Sequence, residues 1–102
     1  MSKTTIFSAQ TTDGNSASFN AIGGLNGSCV IYPFLTIYGD FGGASIDIEY
    51  QAEDGNWYST GDTAITSHAA YFIEISINCA YRLALTNASG STSISSTVYN
   101  IA

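Results

Sequence analysis

Ser45–Thr60, SIDIEYQAEDGNWYST, is the stretch whose reading decides the fold. Ile46, Ile48, Tyr50 and Ala52 alternate with Ser45, Asp47, Glu49 and Gln51. That period of two gives a strand one dry face and one wet face. The run stops at Glu53-Asp54-Gly55-Asn56, where Asp-Gly supplies the positive φ that a tight reversal needs. Trp57 and Tyr58 restart the pattern on the return strand, which makes an antiparallel hairpin.

Outward from the hairpin, composition extends the same reading. The chain holds 12 Ile and 11 Thr against 4 Leu and 3 Glu. β-Branched residues lose rotamer freedom in helices and pack well on a pleated surface, so this bias favours sheet. Strands are predicted near Thr4–Ala9, Ser16–Ala21, Ser28–Tyr38, Ala70–Ile77, Tyr81–Thr86 and Thr92–Tyr99, besides the two of the hairpin. Turn signals separate them: Asp13-Gly14-Asn15, Gly23-Gly24, Asn26-Gly27, Gly39–Gly43 and Asn87–Ser91. About eight short strands in 102 residues predict one all-β domain, an antiparallel, jelly-roll-like β-sandwich. Residues 1–9 are read as an arm or an edge strand.

Two strands carry further information. From Tyr71 to Leu85 the odd positions are apolar or Cys, while Glu74, Ser76, Asn78 and Arg82 are polar, which predicts a core wall with a wet outer face. Along Ser28–Tyr38 both faces are apolar. Cys29, Ile31, Leu35 and Ile37 form one, and Val30, Tyr32, Phe34 and Tyr38 form the other. A doubly apolar strand must be covered on both sides or expose an adhesive patch. Tyr32, Phe34 and Tyr38 therefore lie either under a loop of their own domain or at a contact with another subunit, where aromatics are enriched. Pro33 lacks an N–H and predicts an edge or a bulge within this strand.

Ten of the 102 residues are charged, the formal net charge is −6, and Lys3 and Arg82 are the two cations. Phosphate neutralisation needs several Lys or Arg on one face, which excludes nucleic acid as a partner. Anionic membrane surfaces are disfavoured for the same reason, and no apolar run reaches the ~20 residues of a membrane span. Met1–Phe7 lacks the apolar core and cleavage site of a secretory signal, which predicts a cytoplasmic origin. A surface with so little charge is buried against a partner at low electrostatic cost.

The search for chemistry yields little. His68 is the sole histidine, in a loop context, with no nucleophile assigned to it and no G-x-S-x-G elbow. Asp47 and Glu49 share a strand face about 7 Å apart, a separation within reach of a glycosidase pair. Outward acids on an alternating strand are also what any solvated face shows. Asp13-Gly14-Asn15 and Asp40 each fall short of a Ca²⁺ loop's ligand count. Cys29 and Cys79 have no metal or redox spacing and read as small core hydrophobes, with a single bridge as the alternative. Asn26-Gly27-Ser28 and Asn87-Ala88-Ser89 match a glycosylation pattern without a secretion signal. No catalytic, cofactor-binding or metal-binding residue is assigned, and the chain is read as a non-enzyme. Trp57 is expected to plug the core, since Trp is well buried on average. The alternative is a sugar-stacking platform made by Trp57 and Tyr58.

Tyr50, Asp54, Gly55 and Trp57 form a Tyr-x-x-x-Asp-Gly-x-Trp turn, and Tyr81-Arg82-Leu83-x-Leu85 precedes a Ser/Thr/Gly-rich last strand. This arrangement, over roughly the C-terminal 60 residues, resembles a pattern in small bacteriophage virion proteins. The resemblance implies a capsid decoration (cement) protein or a related minor virion component, assembled in the host cytoplasm. It further implies a homotrimer on the outer shell, with itself and the major capsid protein as partners. On that reading Thr5, Ile6 and Phe7 contact the shell, and Tyr32, Phe34 and Tyr38 serve the subunit contact. A carbohydrate- or receptor-binding module of a phage tail or cell-surface protein is the alternative.

Overall fold

The computed structural model describes residues 3–20, 30–76 and 79–99. These residues form β1 (Lys3–Gln10), β2 (Gly14–Asn15), β3 (Val30–Ile31), β4 (Phe34–Asp40), β5 (Ser45–Gln51), β6 (Trp57–Ser59), β7 (Ala69–Phe72), β8 (Ile75–Ser76), β9 (Tyr81–Thr86) and β10 (Ser93–Tyr99). Every pairing is antiparallel. The first sheet runs β1-β10-β4-β7, the second runs β2-β9-β5-β6, and β3 pairs with β8 as a two-stranded ribbon. The architecture is all-β and antiparallel, as the residue bias requires.

The expected hairpin is β5–β6, and its turn is held in several ways. Gly55 adopts φ +86, its N–H donates to the Ala52 carbonyl at 3.0 Å, and the Ala52 N–H donates to the Asn56 carbonyl at 2.9 Å. Asp54 Oδ1 accepts the Asn56 N–H at 2.9 Å, and Oδ2 accepts the Tyr58 hydroxyl at 2.7 Å. The carboxylate thus replaces backbone partners that the reversal leaves unpaired.

Ten described strands stand where eight were expected, and the cause is local. The pairs Val30↔Ser76, Ile31↔Ile75, Phe34↔Phe72 and Leu35↔Tyr71 keep one continuous register. Over their described residues, 30–38 and 70–76, the two long strands of the sequence reading are therefore present but broken in the middle. Pro33 offers no N–H there, although its carbonyl still accepts the Ile73 N–H at 3.0 Å. The strand expected near Ser16–Ala21 is also interrupted. Ser16 places its hydroxyl where a backbone carbonyl would sit and accepts the Leu83 N–H at 2.9 Å. Pairing resumes at a single bridge between Phe19 and Tyr81. Ala21, the turn signals Gly23-Gly24 and Asn26-Gly27, Ser28, Cys29, Ile77 and Asn78 lie outside the described residues.

Inward side chains of both four-stranded sheets meet in one cluster. Leu35, Ile37, Ile94 and Val98 come from the first sheet, and Ile46, Ile48, Leu83 and Leu85 from the second. Each such burial contributes about 1.5–3 kcal/mol. Ser96, fully buried among them, donates its hydroxyl to the Thr36 carbonyl at 2.8 Å, which satisfies the polar group. Along β1 the register against β10 shifts between Thr5 and Phe7 and again before Gln10. The first bulge turns the consecutive side chains Ile6 and Phe7 both into the core.

Candidate functional site

Strand alternation and the registers above define the outer face of the first sheet. Phe72, Phe34, Tyr99 and Lys3 form one cross-strand row, and Ala70, Thr36, Thr97 and Thr5 form the next. Tyr38 stands opposite Ser95 beyond them. The Phe34 ring lies 5.1 Å from that of Phe72 and 6.3 Å from that of Tyr99, distances at which tilted rings attract. Tyr32 continues the series past Pro33 and donates its hydroxyl to Glu74 at 3.2 Å. That bond, and then the charge of Glu74, raise the Tyr32 phenol above its ordinary value.

This face is open. Phe72 is 66% exposed, Tyr38 58% and Tyr32 57%, while Phe34 is half-buried between its neighbours. Lys3, Asp40 and Glu74 are the ionisable charges near it, all toward its ends. Thr5, Tyr32, Phe34 and Tyr38, four of the residues singled out in the sequence, thus come together on one surface. Ile6 and Phe7 do not. They are core residues, 7% and 4% exposed, and offer no contact surface, because the bulge in β1 carries them inward. Phe72 and Tyr99 were missed. The signal for Phe72 was available: it is the one aromatic among the even positions from Ala70 to Ala84, so the outer face of β7 is not uniformly wet.

The hairpin aromatics are arranged differently from either expectation. Trp57 pairs with Gln51 and Tyr58 with Tyr50, so these consecutive side chains occupy opposite faces of β6. They form no common platform. Trp57 is not a core plug either. It is half-buried on the outer face of the second sheet, with the Arg82 guanidinium 4.4 Å from its ring centre. Arg82 also donates from Nε to Glu49 Oε1 at 2.7 Å. Asp47 Oδ1 accepts the Ser59 hydroxyl at 3.1 Å. Both outward carboxylates of β5 are therefore engaged in cross-strand bonds. His68 and Asp40 are exposed. Asp13 Oδ1 accepts the Ala88 N–H at 2.7 Å, a loop tie. Cys79 is half-buried against the core, its thiol 3.9 Å from the Gln51 carbonyl. Among the described residues no three His, Cys, Asp or Glu side chains are grouped to hold a metal.

A trough of about 590 Å³ runs between β7–β8 and the segment that follows β6. Its most buried lining residues are Ile75, Ile48, Ile73 and Tyr81, and Tyr71, Asp62 and Glu74 stand along it. Burial, and then the charge of Asp62, raise the Tyr71 phenol above its ordinary value. Set against known proteins, the chain matches no family model, no curated protein and no solved structure.

Proposed function

We infer that the protein is a non-enzymatic structural subunit that works by adhesion through the outer face of its first sheet, as an oligomeric decoration protein on a phage capsid. The observation that carries the adhesive part is the exposure of Phe72, Tyr38 and Tyr32 on a face nearly free of charge. A monomer in water has no use for three large aromatics more than half exposed on one sheet. Aromatic enrichment with charge depletion is the composition of an interface centre. Strands of eight, seven, seven and four residues span a projection of at most about 19 by 24 Å, narrower along β7. Side-chain relief raises the accessible area above that projection, toward the ~800 Å² per partner of ordinary specific contacts.

The capsid assignment rests on the resemblance of the turn at Tyr50–Trp57 and of Tyr81–Leu85 to phage virion proteins. A jelly-roll-like sandwich built from the two four-stranded sheets belongs to the same reading. In that setting Thr5 stays at the contact face, Tyr32, Phe34 and Tyr38 serve the subunit contact with Phe72 and Tyr99 beside them, and many copies on a lattice add avidity. Light scattering during size-exclusion chromatography is expected to give a trimer. Tyr38→Asp is expected to give a monomer with unchanged circular dichroism. Co-sedimentation with shells stripped of decoration is expected to saturate for the native chain and fail for the variant. A strict monomer that ignores the shells would sink this reading.

A further inference from the structure

We propose that the trough beside β7 docks an extended, positively charged segment of a partner protein, which adds to the free edge of β7 as a further strand. The site adjoins the outer aromatic contact at Phe72 and Glu74, which border both, but opens on the side of β7 that faces the second sheet, and goes beyond the adhesive reading above. Three observations support it.

The first is an unguarded edge. Among the described residues, β7 is the last strand of the first sheet. The Ile73 N–H points to Pro33, so antiparallel alternation turns the N–H groups of Ala70, Phe72 and Glu74 away from β4. The next in that series, the Ser76 N–H, is met by the Tyr81 hydroxyl at 2.9 Å, which caps one end of the row. Ala69-Ala70-Tyr71-Phe72 contains no Lys, Pro or bulge to discourage pairing. The opposite edge, β1, carries two register shifts, and Ala9 there has φ +50. Edge strands β2 and β6 are two and three residues long.

The second observation is the trough itself, which runs along residues 71–76 and opens beside that edge. An added strand would send alternate side chains over Ile48 and Ile73. This is the architecture of strand-addition recognition, in which backbone bonds supply affinity and side-chain pockets supply selectivity. The third is charge. Asp62 and Glu74 line the trough, Glu74 at its border with the outer face where it also accepts the Tyr32 hydroxyl, and no cation lines it. Arg82 is engaged with Glu49 on the outer face of the second sheet. A basic segment is the complement of these walls, and the net charge of −6 adds long-range attraction.

The test uses the full chain and a labelled peptide, Val-Thr-Lys-Thr-Lys-Thr-Val, whose Val and Lys side chains share one strand face. Its counterpart has Glu in place of both Lys. Fluorescence anisotropy should show the basic peptide binding at least about tenfold more tightly than the acidic one. Amide exchange at Ala70 and Phe72 should slow on binding. Ala70→Pro removes an outward N–H without breaking a bond to β4, and should abolish binding with near-UV circular dichroism unchanged. Asp62→Asn with Glu74→Gln should erase the preference for Lys, and it keeps the proposal testable if the proline variant misfolds. Equal affinity for both peptides, undiminished binding by folded Ala70→Pro, or binding without slowed exchange overturns the proposal. So does no binding at all. Tyr38→Asp should leave peptide binding intact, so failure here and failure of self-association are read separately.

Discussion

Asp54 shows how one side chain settles a local structure. The Asn56 N–H, and then the Tyr58 hydroxyl, hold its carboxyl below the ordinary value of 3.8. A depressed folded-state pKa means that the turn's stabilisation is complete above that ordinary value and is lost as pH falls through the lower one. Chemical shifts of Asn56 and Tyr58 are therefore expected to move together under acid, with a midpoint below 3.8. Asp54→Ala should abolish that transition and loosen the turn at neutral pH. This much was legible, since Asp-Gly after an alternating run specifies both the reversal and its φ. Ile6 and Phe7 were less so, because the bulge that sends both inward arises from pairing with β10, some 90 residues away in sequence. Trp57 was misleading for a related reason: the Arg82 side chain that half-covers it comes from β9.

Elements were legible where one strand's pattern was enough. β9 spans Tyr81–Thr86 as its alternation indicates, and β5 and β10 agree closely. They were illegible where a partner decides. Pro33 foretold an irregularity, but only the pairing with Ile73 shows that two long strands break at the same height. Gly39 is a second such place. The sequence reads it as the start of a loop, yet it lies within β4 opposite Ile94, at φ +120. A Cβ built there would collide with the Ser93 carbonyl of β10, so close approach of these two strands requires glycine. Gly39→Ala is expected to cost roughly 2–4 kcal/mol. Gly43, at φ +90 but with open space around it, should cost less when changed to alanine. Paired urea melts of the two variants check the difference.

Across the whole molecule, the adhesive face and the trough differ in their physics, and salt separates them. Contacts made by Phe72, Tyr38 and their neighbours bury neutral surface, so self-association is expected to persist or strengthen between low and high ionic strength. Docking against Asp62 and Glu74 is expected to weaken as the Debye length shrinks from about 30 Å at 0.01 M to about 8 Å at 0.15 M. Sedimentation velocity and peptide titration at both conditions test the contrast. Fold class and most of the aromatic face were open to reading from sequence, because alternation assigns faces strand by strand. The trough was not, since it lies between strands far apart in the chain. The two edges of the first sheet also set a limit on growth. Copies joined through their strands in head-to-tail fashion would need a straight receiving edge at each end, and the kinked β1 denies one of them. Concentrated solutions should accordingly resist fibre formation, any edge contact closing upon itself after two copies.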